Sequence, residues 1–131
     1  MLPQGCCPCA GATLDRLVQP AILTILAAEE LHGYVLVQRI AGMPTFEGEQ
    51  PDATGVYRCL KLMERRGLVA SRLSSSRGRP DRRLYRITPR GGRCLAAWAQ
   101  TLRQYRNAIG KLERLAARAA AAPRRASRSR Q

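Results

Sequence analysis

Acidic residues are scarce in this chain of 131 residues, with 9 Asp and Glu against 23 Lys and Arg. No two carboxylates are placed as general acid–base chemistry in a cleft would need them. There is one histidine, His32, and no carboxylate set accompanies it. The chain also lacks a P-loop and a Ser/His/Asp set, so no catalytic site is expected and His32 is read as a polar residue at a helix entry, capping or bonding to backbone. No apolar run reaches the roughly 18 residues that a transmembrane helix needs. The N-terminus has neither a basic n-region nor a clean signal-peptide hydrophobic stretch, and a cytoplasmic protein with no membrane partner is expected. Five cysteines, an odd number, argue against a disulfide framework in such a chain and leave thiols, metal ligation or burial. There is no internal repeat.

What the chain has in excess is positive charge. The formal net charge is +14, nearly all of it arginine, and such a surface favours polyanions. The arginines concentrate on a turn between two strands and beside a helix start, which points to nucleic acid rather than to a merely solvated surface. Four segments follow from the composition. Residues 1–11 are Gly-, Pro- and Cys-rich and read as a flexible arm. Residues 12–89 read as a winged helix-turn-helix domain, 90–120 as a long helix, and 121–131 as a disordered basic tail.

Within 12–30 the apolar residues Leu14, Leu17, Val18, Ala21, Ile22, Ile25 and Leu26 predict helix. Pro20 predicts a kink, or a second helix that starts near it. Leu31-His32-Gly33 reads as a break, Tyr34–Ile40 as a further amphipathic helix ending near Gly42, and 43–51 as a loop. The segment from Asp52 to Val69 is the most informative. Asp52 or Thr54 can cap a helix whose apolar stripe is Val56, Leu60 and Met63, and Gly67 sits at the usual C′ position. Its other face carries Thr54, Tyr57, Arg58 and Lys61. Two strands are predicted next, 68–73 and 83–88, joined by a basic turn over 74–82. Helix followed by an arginine-tipped two-stranded wing is the order of a winged helix-turn-helix that binds DNA. The expected fold class is therefore mainly α with a small two-stranded β-wing and a long C-terminal dimerisation helix.

On that reading the start of the 52–67 helix meets base edges in the major groove. Arg58 suits a bidentate contact to guanine and Lys61 a phosphate, while Tyr57 can contact DNA or pack half-buried. The wing arginines Arg77, Arg79, Arg82 and Arg83 suit a narrow minor groove or the phosphates beside it. Thr88 and Pro89 open the last helix as cap and first residue, and Gly91 and Gly92 weaken its first turn. Leu95, Trp98, Leu102, Tyr105, Ile109 and Leu112 then follow at alternating gaps of three and four, the spacing of a coiled-coil seam. A helix of this length outreaches a small domain, so the surplus apolar surface predicts a homodimer.

Three stretches together resemble the PadR family of bacterial winged-helix transcriptional regulators. They are Leu31-His32-Gly33-Tyr34; Thr54-Gly55-Val56-Tyr57-Arg58-Cys59-Leu60 running on to Glu64-Arg65-Arg66-Gly67-Leu68-Val69; and Arg83-Leu84-Tyr85-Arg86-Ile87-Thr88-Pro89-Arg90-Gly91. The resemblance implies a nucleoid-associated homodimer whose C-terminal helices pack across the dimer axis, with one winged domain on each half of an inverted-repeat operator in double-stranded DNA. It also implies repression relieved by a small effector, for which Trp98 could floor a pocket. Two features depart from the family pattern: Cys59, and the arm Gly5-Cys6-Cys7-Pro8-Cys9. Cys6, Cys7 and Cys9 could ligate a thiophilic metal ion, with Cys59, Cys94, His32 or the arm of the other subunit completing the set, or exchange disulfides. Their spacing is not that of a structural zinc site. The alternatives to an effector-relieved repressor are a thiol-based metal or redox sensor of the same fold, a non-specific architectural DNA binder, and a protein-interaction module.

Overall fold

The first helix, α1 (Val18–Ala28), buries Val18, Ala21, Ile22, Leu23 and Leu26. The computed structural model describes residues 17–46, 51–76 and 79–123, and side chains except those of 75–81. The arm with its three cysteines, Arg77, and the tail from 124 lie outside the described residues. Pro20 is the third residue of α1, which agrees with a helix that starts near it and not with a kink inside one. A proline in the first turn lacks an N–H that has no intrahelical partner anyway, so it breaks no helical bond. Thr24 instead donates its hydroxyl to the Pro20 carbonyl at 2.7 Å.

Leu31-His32 is not only a break. It forms a two-residue strand, β1 (Leu31–His32), before α2 (Gly33–Ala41). With β2 (Val69–Ser76) and β3 (Arg79–Ile87) it makes a three-stranded antiparallel sheet in the order β1-β3-β2, where two strands were expected. Leu31 pairs with Tyr85 and His32 with Leu84. A strand this short has no period of its own to read; it exists because β3 offers a free edge. The hairpin is also longer than predicted. Ser74 pairs with Arg82 and Ser76 with Arg79, with an irregularity between the two serines. Polar residues with turn chemistry can still pair as a ribbon, because ladder bonds come from the backbone. Pro80 is tolerated because β1 reaches only Leu84 and Tyr85, which leaves that end of β3 with one neighbour.

The predicted loop after α2 contains a 3-10 turn, Pro44–Phe46, and Phe46 is wholly buried. It joins Ile22, Leu23, Leu36, Ile40, Val56, Leu60, Met63 and Val69 as the most buried side chains of the core. The helix α3 (Ala53–Arg65) contributes Val56, Leu60 and Met63, as its spacing predicts. Asp52 is its cap, accepting from the Gly55 N–H at 3.0 Å, and Thr54 is not. At the other end Gly67 has φ +77°. There the Leu68 N–H bonds the Met63 carbonyl at 2.9 Å and the Gly67 N–H bonds the Glu64 carbonyl at 3.0 Å. That paired pattern is a Schellman cap, and a left-handed glycine is what lets the chain turn directly into β2.

The last helix, α4 (Pro89–Ala121), starts where Thr88 accepts from the Gly91 N–H at 3.0 Å. The same hydroxyl lies 2.6 Å from the Gly67 carbonyl and 3.0 Å from that of Leu68. Gly91 does more than weaken the helix. A Cβ there would fall on the Leu68 carbonyl oxygen, so only glycine permits this approach; Gly92 faces open space. The chain divides into two compact units, 1–96 and 97–131. Along α4, 33 residues or roughly 50 Å, Gly91 is the one buried residue. Leu95, Trp98 and Leu102 are partly exposed, whereas Tyr105, Ile109, Leu112 and also Leu115 lie open to solvent at 52–64%.

Candidate nucleic-acid interface

The capped start of α3 determines the first half of the site. Fixing the helix at Asp52 and burying Val56, Leu60 and Met63 turns Thr54, Tyr57, Arg58 and Lys61 to the surface, and all four are exposed. Positions 54, 57, 58 and 61 fall on one face by helical spacing. Tyr57 has a second role. A Cβ on Gly33 would come within 2.7 Å of its Cε1, so the phenol ring lies against the start of α2. The packing reading of Tyr57 therefore holds, and the ring remains half-exposed. The ion pairs among the described residues join Arg39 to Glu29 and Arg72 to Glu30, and neither engages Arg58, Lys61 or Arg82.

The wing residues fare differently. Arg77 lies outside the described residues, as does the side chain of Arg79. Arg82 belongs to the paired part of the hairpin rather than to a basic turn. Its guanidinium sits 4.6 Å from the Tyr34 ring centroid and donates to the Tyr34 hydroxyl at 3.0 Å. Arg83 donates to Ser71 Oγ at 2.8 Å, and Ser71 donates to Glu64 Oε2 at 2.8 Å. Between α2, the first turns of α3 and β3 lies a half-open cleft of about 340 Å³, lined by His32, Gly33, Tyr34, Tyr57, Arg82, Arg83 and Tyr85. Burial pushes the Tyr85 phenol up from its ordinary value; Glu64 adds to this and Arg83 opposes it. Tyr85 therefore stays a hydrogen-bond donor.

Tyr34 was not among the residues assigned to the site from sequence, although the Leu-His-Gly-Tyr stretch carries it. His32 stands at the N-cap of α2 but its side chain makes no capping bond, contrary to expectation. Its Nε2 is buried without a hydrogen-bond partner, and its ring stacks on Tyr34 with centroids 6.1 Å apart. Cys59 is half-buried on α3, 3.7 Å from the Met63 sulfur, and burial pushes its thiol up. Cys94 instead lies 3.9 Å from Gln19 Nε2. Among the described residues no three His, Cys, Asp or Glu side chains are grouped to hold a metal ion, so His32, Cys59 and Cys94 do not form a set by themselves.

The order α1-β1-α2-α3-β2-β3, with an open polar face on the helix before the hairpin, is that of a winged helix-turn-helix. Residues 22–97 match the transcriptional regulator PadR-like family. The chain belongs to that family. It is thus a transcription regulator and not an enzyme. Solved structures agree. A Thermoplasma acidophilum protein assigned as a transcriptional regulator is 31% identical, with a TM-score of 0.62 over 77% of this chain and 94% of its own. A PadR-like transcriptional regulator from Bacillus cereus is 25% identical, with a TM-score of 0.65 over 77% of this chain and 95% of its own. Bacillus subtilis PadR, solved in complex with operator DNA, is 23% identical, with a TM-score of 0.58 over 64% of this chain and 47% of its own. No curated protein sequence matches this chain significantly. No helix among the described residues is long and apolar enough to cross a membrane.

Proposed function

We propose that this PadR-like regulator is a homodimer that binds an inverted-repeat operator, acts as a repressor in the bacterial cytoplasm, and is released by a small effector. Residues 12–89 serve as the DNA-binding domain and 90–120 as the dimerisation helix. The observation that carries this reading is the face of α3. Thr54, Tyr57, Arg58 and Lys61 are exposed together, and neither described ion pair engages Arg58 or Lys61. Such a face can enter a major groove, where Arg58 reads guanine and Lys61 holds a phosphate. The operator complex of the B. subtilis relative supports the choice of partner. The open apolar residues of α4 support dimerisation, since Tyr105, Ile109, Leu112 and Leu115 need a partner surface. Trp98, only partly exposed on the same helix, is the candidate effector contact.

The test is binding to the DNA flanking the gene, followed by fluorescence anisotropy at several salt concentrations. Arg58→Ala is expected to cost about 1–3 kcal/mol and to relax base preference at one position per half-site. Lys61→Ala should weaken all sequences alike and flatten the salt dependence. A parent protein that binds every sequence equally would instead be an architectural binder.

A further inference from the structure

The cleft beside α3 is chemically one-sided. Among the described residues its lining offers two guanidinium groups, three phenols and an imidazole, and no carboxylate. Arg83 is already committed to Ser71, and through it to Glu64. Among the described residues, Arg82 has only a phenol for a partner. Tyr34 fixes it from two directions, with the ring beneath the guanidinium and the hydroxyl on Nη1. A guanidinium has five N–H donors, so most of those on Arg82 remain for a ligand. The start of α2, at Gly33 and Tyr34, lines the same cleft, and this helix end has neither a side-chain cap bond nor an acidic residue in its first turn. An uncapped helix start favours an anion.

We propose that this cleft seats one backbone phosphate of bound DNA, with Arg82 as the contacting cation and Tyr34 as the residue that positions it. The inference rests on the DNA-binding reading above and adds a second contact to it. Tyr57 makes the link, since it belongs both to the cleft lining and to the exposed face of α3. An occupant of the cleft therefore adjoins whatever that face reads, as the sugar-phosphate strand flanking a read base does. The volume of about 340 Å³ also exceeds one phosphate and leaves room for an adjoining sugar. A free phosphate ester carries the same chemistry and is the other possible source.

The experiment uses the full chain and an operator duplex in which single phosphates are replaced, one position at a time, by uncharged methylphosphonate. At one position per half-site the replacement should weaken the parent about tenfold or more, as for a lost charge-assisted hydrogen bond. At that position Arg82→Ala should lose nothing further, while at every other position the two losses should multiply. Tyr34→Phe keeps the ring and removes the hydroxyl, so it should show a partial version of the same pattern. A merely structural role for Arg82 would give multiplying losses at all positions and would overturn the assignment. His32 is the sole histidine, so its ring resonances report on the cleft without ambiguity. They should move on adding operator and not saturate with millimolar inorganic phosphate. Saturation by phosphate, with no position-specific methylphosphonate effect, would assign the cleft to a free ester instead. A parent that binds no DNA removes the underlying reading, whereas one that binds with multiplying losses throughout removes only the role of the cleft.

Discussion

Two helices of this molecule carry the same kind of pattern and meet opposite fates. In α3 the stripe Val56, Leu60, Met63 is buried to within 1% of completely. In α4 the stripe that ends Tyr105, Ile109, Leu112, Leu115 is more than half exposed at every one of those residues. Periodicity therefore states that a face will be covered, but not by what. The α3 stripe is three residues long and meets a core that its own chain supplies. The α4 stripe lies open along its last four residues, and under the proposed homodimer a second molecule would supply its cover.

The sharpest way to break this contrast is to make the open stripe polar. Ile109→Asp with Leu112→Asp should abolish self-association, read by light scattering, while circular dichroism of the winged unit persists. A parent that is already monomeric at micromolar concentration would end the dimer proposal. Next in size is the covered side of the comparison. Phe46→Ala removes a wholly buried ring and should cost about 3–5 kcal/mol in denaturant unfolding. If the loss is only a few tenths, the 3-10 turn is not part of the core. Thr88→Val keeps the shape and deletes the cap of α4, with an expected cost of about 0.5–2 kcal/mol. The smallest effect is chemical. With its thiol pushed up by burial, Cys59 carries less thiolate at neutral pH than an ordinary cysteine, and iodoacetamide should label it more slowly in the native than in the urea-unfolded chain. Its reactivity should emerge only as the pH rises beyond the usual thiol range; equal rates would mean that the helix opens readily there.

How much of this was legible in the sequence depends on whether a residue's role is set locally. Both ends of α3 could be read, because a cap needs only a short acceptor at one end and a glycine at the other. The exposed face Thr54–Lys61 followed from the buried one. Phe46 could not be read, since one apolar residue in a loop has no period, and its burial depends on which helices close over it. The strand at Leu31-His32 depends on an edge that lies more than 50 residues away in sequence. Arg82 was misplaced because Ser74–Asp81 has turn chemistry throughout, which hid the continuing ladder. The partner of Arg82, Tyr34, is 48 residues distant. The stripe on α4 was legible to Leu112 and in fact runs one step further, to Leu115.

The four residues Gly67, Leu68, Thr88 and Gly91 act together as a fulcrum. One peptide unit, the Leu68 carbonyl, faces the Thr88 hydroxyl and N–H and lies against the Cα of Gly91, just after the bond that closes α3. The Thr88 side chain and Ile87 Cγ1 stand beside this backbone contact. A turn of the first residues of α4 about its own axis would therefore press on the end of α3. Enlarging Gly91 would be felt first as a change in the angle of α3, before any loss of the core.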